Sequence, residues 1–210
     1  MNIRTRSAVM WLAGINVALF LLQLVIPRLT ENFMLVSADI YTRPWILITH
    51  MFLHGGFMHL LINMWVLVMF GRMMETNIGW KRFLILYFGS GITAGVLSSF
   101  FYSASLGASG AIMGVVAALI VFMPNLKVMI LFLPIPMPFW IAGILFVAWD
   151  LFGVYNPSGT GNIAHLVGFA FGLAYGYILT KSKRKFNKTF STTKTHMNKK
   201  DIDEYLKKRF

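Results

Sequence analysis

Six side chains able to do chemistry sit within or at the rim of long apolar stretches of this 210-residue chain: His50, His54, His59, Asn63, Ser109 and His165. Polar groups in such stretches are costly to bury, so each is a functional candidate by default. Ser109 and His165 form the pair with the clearest chemistry. A serine hydroxyl is a weak nucleophile until a base takes its proton, and histidine is the side chain best matched to that task near neutral pH. His59 and Asn63 stand four residues apart and project from one helical face. Together with the backbone N–H of Ser109 at a helix start, they would aim donors at an oxyanion formed during hydrolysis. No acid is expected to join them. Asp150 is read as lying across an external loop and Glu75 on the opposite face, which leaves a Ser/His dyad rather than a triad. His50, His54 and His59 invite a metal reading, since His50 and His54 share a helical face, but there is no HExxH and no Asp or Glu in their segment, and a metal hydrolase would leave Ser109 without a role. No metal and no cofactor is therefore expected, and His54 is read as structural, bonded to the external loop that precedes Ser109.

The elements that must position these groups are membrane helices. Hydrophobic residues make up 57% of the chain and charged residues 12%, with a mean hydropathy of +0.68, too apolar for a soluble domain of this size. Long unbroken apolar runs, rather than short alternating ones, indicate an all-α integral membrane protein and not a barrel. Crossing ~30 Å of hydrocarbon takes about 20 helical residues. On that criterion the sequence predicts one domain over residues 1–180, a six-span bundle with spans near 8–27, 46–70, 83–102, 109–124, 138–151 and 161–180, followed by a tail over 181–210. Pro134, Pro136 and Pro138 delimit the fifth span, so Val128 to Leu133 is expected to be extended and the helix to begin near Pro138. The fourth span is only about 22 to 24 Å long at 1.5 Å per residue, so the small and polar residues 103–108 are expected to dip into the membrane as a loop. Backbone of that kind is tolerated at depth only where protein covers it or water reaches it, which implies a wet hollow with Ser109 at its floor. Gly110 and Gly114 in the fourth span, and Gly168, Gly172 and Gly176 below His165 in the sixth, are the small-residue stripes that let two helices approach closely. The two spans are expected to pack face to face.

Charge gives sidedness. Arg4, Arg6, Arg72, Lys81, Arg82, Lys127 and the tail fall on one side of the expected spans, and Arg28 and Arg43 on the other, so both termini are expected to be cytoplasmic. Residues 181–210 hold 11 of the 19 Lys and Arg but 3 of the 7 acids. A basic segment just beyond a span is drawn to an anionic cytoplasmic leaflet, so a lipid surface is the expected partner and nucleic acid is not. Asp201 to Phe210 is expected to form a short surface-lying helix. The chain has no cysteine, which excludes disulfides and thiol catalysis. With no transit peptide and no large soluble domain in view, the expected residence is a bacterial plasma membrane, multi-pass.

These motifs together resemble those of the rhomboid intramembrane proteases. Gly107, Ala108, Ser109 and Gly110 match the family's GxSG; His54, His59 and Asn63 match its HxxxxHxxxN; His165, Gly168, Gly172 and Gly176 match its AHxxGxxxGxxxG. The match runs from about residue 43 to 180. It implies a six-helix core, a Ser109/His165 dyad, an oxyanion site near His59 and Asn63, and single-span membrane proteins as substrates. Gly107 and Gly110 become structural residues of the site, and Glu75 a structural glutamate closing the second span. Two departures stand out: Met113 occupies a position that in some members carries an aromatic ring stacked on the histidine, and Ile46 follows Trp45 where some members have arginine. Two rival readings make distinct demands. A non-cutting member of the same fold would lack the serine or the histidine, and a channel would spread its polar residues through the membrane depth.

Overall fold

The computed structural model describes residues 7–130, 133–156, 159, 161–192 and 203–204. Arg4, Arg6, residues 157, 158 and 160, and most of the expected tail helix lie outside the described residues. The chain is helical: α1 (Ala8–Val25), α2 (Leu29–Phe33), α3 (Ile46–Thr49), α4 (Phe57–Val66), α5 (Arg72–Ile78), α6 (Trp80–Ser98), α7 (Ser109–Phe122), α8 (Phe139–Tyr155) and α9 (Asn162–Thr192). Two small antiparallel pairings join them, β1 (Leu35–Val36) with β2 (Ala104–Ser105), and β3 (Lys127–Ile130) with β4 (Leu133–Pro138). Among the described residues, three helical stretches are long and apolar enough to cross a membrane: Ala8–Val25, Phe57–Ile78 and Asn162–Ser182. The apolar helices α7 and α8 are shorter.

The stretch 46–70, expected as a single span, is divided. Residues 46–52 form two short helical turns, and the long helix begins only at Phe57, after the Gly55–Gly56 pair, and runs through a π-wound segment at Leu67–Gly71 to Ile78. Two adjacent glycines interrupt the helix because neither restricts the backbone, a break that hydropathy averaged over the window hides. The residues after Lys127, expected to be extended, form the β3–β4 hairpin, and α8 starts at Phe139 with Pro138 as its N-cap.

At the centre lies α7, apolar all round, with ten of its fourteen residues buried, as a helix enclosed by others must be. Helices α6 and α9 flank it. A methyl group placed on Gly168 would lie 2.0 Å from the Gly110 carbonyl oxygen, and one on Gly172 would lie 2.0 Å from that of Gly114. The α7 and α9 backbones are thus in direct contact along the two glycine stripes, as their spacing predicts. Helix α6 comes as close, since a methyl on Gly114 would meet Ser90 Oγ at 2.0 Å and the Gly168 carbonyl oxygen at 3.0 Å.

The start of α1 is held from α5. Glu75 accepts hydrogen bonds from the Ser7 hydroxyl (2.6 Å) and from the backbone N–H groups of Ala8 (2.7 Å) and Val9 (3.4 Å). A carboxylate on the unpaired donors of a helix N-terminus is favoured by both hydrogen bonding and the helix dipole, and it fixes α1 against the helix that carries His59 and Asn63.

Gly168→Ala and Gly172→Ala each force a methyl into a backbone carbonyl. We expect each to lower the melting temperature of the detergent-solubilised protein, consistent with an overpacking cost of about 1–3 kcal/mol or more. Gly14→Ala, where nothing lies within 4 Å of the added methyl, is expected to leave it unchanged or raised.

Candidate active site

Ser109 is the first residue of α7, with Ala108 as N-cap. Its backbone N–H is therefore among those a helix start leaves without an intrahelical partner. The chain arrives at this point along a braced loop. β2 pairs with β1, the Ser37 N–H donates to the Ser103 carbonyl at 3.0 Å, and the Gly107 N–H donates to the His50 carbonyl at 2.9 Å. Gly107 has φ +127°, a conformation that side chains rarely adopt. Space forbids a side chain there as well: a methyl on Gly107 would lie 2.9 Å from His59 Cε1, 3.1 Å from His59 Nε2 and 3.8 Å from Ser109 Oγ. The His59 ring and the Ser109 hydroxyl therefore border one small space, separated by a glycine backbone. At Gly110 a methyl would meet Ala94 on α6 at 2.8 Å and the Ala164 carbonyl on α9 at 3.4 Å, so that residue has to be small for α7 to sit between them.

His165 lies one turn into α9, facing α7 across the glycine contact. Its Nε2 is 2.8 Å from Ser109 Oγ. The two residues whose types suggested a nucleophile and its base are thus in hydrogen-bond contact. His59 and Asn63 share a face of α4, where Asn63 is buried and its side-chain amide donates to the His59 carbonyl at 3.0 Å. That bond uses one of the two amide hydrogens and leaves the second for another acceptor. His54 packs its ring edge-on against His59, with centroids 5.1 Å apart.

The expected anchor of the loop before Ser109 is corrected. It is the carbonyl of His50, not the side chain of His54, that holds Gly107. The His50 ring is buried, with Nδ1 2.8 Å from the Ile46 carbonyl, and it packs beside Gly95 of α6. The backbone of His54 is instead clasped by Gln23 from α1, which accepts from the His54 N–H at 3.0 Å and donates to the His54 carbonyl at 3.2 Å. Gln23 was not among the sequence candidates, although an amide in an otherwise apolar run is itself a signal. Near the departure at Ile46, an arginine does brace the preceding loop: Arg43 pairs with Asp39 and donates to the Asn32 carbonyl at 3.3 Å.

A larger correction concerns the missing acid. Asp150 does not lie away from the site. It is on α8, 3% exposed, with Oδ1 2.9 Å from His165 Nδ1. Helices α8 and α9 are joined by a short connection, so Asp150, five residues before the end of α8, reaches the level of His165, three residues into α9. The one acid within the fifth apolar run was the signal available. Ser109, His165 and Asp150 thus form a continuous chain of contacts through both nitrogens of one imidazole.

A family profile described as "Rhomboid domain" matches residues 41–182. The chain is 34% identical over 192 residues to "Rhomboid protein 1, mitochondrial" of Saccharomyces cerevisiae, covering 86% of this chain and 55% of that protein. It is 35% identical to "RHOMBOID-like protein 4" of Arabidopsis thaliana, over 64% of this chain and 34% of the relative, and 33% identical to "Rhomboid-type serine protease 2" of Emericella nidulans, over 63% and 26%. The chain thus spans about half or less of the length of these relatives. Further relatives from Arabidopsis thaliana, Danio rerio and Bos taurus are also named as mitochondrial. These names overturn the expected residence in a bacterial plasma membrane with cytoplasmic termini. The distribution of Lys and Arg reports which segments share a side of a membrane, and it does not say which membrane that is.

Gly107→Ala is expected to strain the backbone by about 1–3 kcal/mol and to push the His59 ring away. The measurement is the rate at which Ser109 is labelled by a serine-directed fluorophosphonate probe, which should fall at least tenfold with the helical circular dichroism unchanged.

Proposed function

Since this chain belongs to the rhomboid family, we propose that it is an intramembrane serine endopeptidase that hydrolyses peptide bonds in or near the membrane-spanning segments of other proteins. The observation that carries this reading is the 2.8 Å contact between Ser109 Oγ and His165 Nε2. A relative's name as a rhomboid-type serine protease also supports it.

His165 Nε2 takes the hydroxyl proton as Ser109 Oγ attacks the substrate carbonyl carbon. The carbonyl oxygen becomes an oxyanion, which the Ser109 N–H and the side chains of His59 and Asn63 face as donors. Collapse of this tetrahedral species breaks the C–N bond, and the proton held by His165 passes to the leaving amine. Water then attacks the acyl-serine ester, with His165 again as base, and releases the new carboxyl end and free Ser109.

The same reading takes residues 1–180 as one membrane domain of six spans, with α6, α7 and α8 added to the three helices long and apolar enough by themselves, and residues 181–210 as a basic tail against an anionic lipid leaflet. Substrates are single-span membrane proteins entering sideways between helices, and the names of the relatives favour a mitochondrial membrane. Serine hydrolysis needs no cofactor.

With the purified protein in lipid vesicles and a panel of single-span reporter proteins, wild type is expected to cut at least one reporter. Ser109→Ala and His165→Ala should each reduce cleavage by about 10³-fold or more. Cleavage that survives Ser109→Ala would sink the assignment. His59→Ala and Asn63→Ala are expected to lower kcat by about 10- to 10³-fold with smaller effects on KM, because an oxyanion donor acts in the transition state.

A further inference from the structure

We infer that Asp150 is a positioning residue for the base, so that the site works as a Ser109–His165–Asp150 relay of contacts rather than as a dyad. The inference rests on the proteolytic reading above and adds a third member to its machinery.

The two contacts of His165 use opposite ring nitrogens, Nδ1 to Asp150 at 2.9 Å and Nε2 to Ser109 at 2.8 Å. A carboxylate accepts hydrogen bonds and cannot donate, so its presence at Nδ1 places the ring proton there. Nε2 is then left with its lone pair toward the serine hydroxyl, the tautomer a general base requires. When His165 takes up the serine proton it becomes a cation between two partners, and the carboxylate supplies the counter-charge where little water reaches.

Burial makes this more than a chance contact. A carboxylate at 3% exposure is strongly disfavoured unless paired, and among the described residues its only recorded ion pair is with His165. The helix that bears it is registered against α9 by a second, neighbouring contact. A methyl on Gly153 would lie 2.4 Å from the Asn162 side-chain nitrogen, so the buried Asn162 seats against bare α8 backbone. Asp150 and Gly153 are one turn apart on α8, and His165 and Asn162 one turn apart on α9, which makes two adjacent rungs between antiparallel helices. The start of α9 is held from a third direction, where the Ile163 N–H donates to the Tyr102 hydroxyl at 3.1 Å. The ring of His165 is thus oriented by α8.

The test compares wild type with Asp150→Asn and Asp150→Glu in vesicles, measuring kcat, KM and the melting temperature. Asp150→Asn keeps the shape and removes the charge. Its kcat is expected to fall about 10²-fold or more with KM changed less than about threefold. Asp150→Glu should recover part of kcat. The inference is overturned if Asp150→Asn retains kcat within about threefold of wild type. It is equally overturned if Asp150→Glu recovers no kcat and the losses in both variants follow the drop in melting temperature, since that is the behaviour of a purely structural acid. Ser109→Ala separates the two levels: should it retain cleavage, the proteolytic reading fails whatever Asp150 does.

Discussion

Backbone-to-backbone contact between α7 and α9 is the constraint from which the site follows. The carbonyl oxygens of Gly110 and Gly114 occupy the places where side chains of residues 168 and 172 would begin. Between two apolar helices in lipid there is little hydrophobic drive to associate, because lipid tails are as apolar as the side chains they would replace. What holds the helices is close van der Waals packing, which small residues permit. This separation also sets the chemistry. Ser109 has a short side chain, and its hydroxyl meets an imidazole on the neighbouring helix at 2.8 Å only because the two axes are this near.

Around that contact, the loops and helix ends are fixed by hydrogen bonds between segments distant in sequence. Glu75 covers the start of α1, Gln23 on α1 clasps the backbone of His54, and the His50 carbonyl holds Gly107. Each joins the first third of the chain to the frame of the site, and each satisfies backbone groups that would otherwise be left unpaired where water is scarce. The backbone at Gly107 takes a conformation open to glycine without steric cost.

Asp150 changes what kind of site this is. A base held only by packing can rotate and change tautomer, whereas one held at both nitrogens has a single productive arrangement. Here Asp150 comes from α8, with Trp149 and Phe152 beside it in sequence and largely exposed. Ser109, His165 and Asp150 therefore come from three different helices, and their alignment reports the packing of all three.

Hydropathy runs, the glycine stripes and the three motifs were enough to identify a helical membrane protein of this family, to name Ser109, His165, His59 and Asn63 as a set, and to pair the fourth apolar segment with the sixth. All of that depends on local periodicity and residue type, which the linear chain carries directly: a stripe of glycines every fourth residue marks a helix face wherever that helix ends up. The break at Gly55–Gly56, the clasp of Gln23, the carbonyl of His50 and the acid at Asp150 were decided only in the folded molecule. Periodicity states which face of a helix is special, but not how far that helix slides or turns against its neighbours. The reach of Asp150 to His165 depends on that axial register between α8 and α9, which the seating of Asn162 on Gly153 sets in three dimensions.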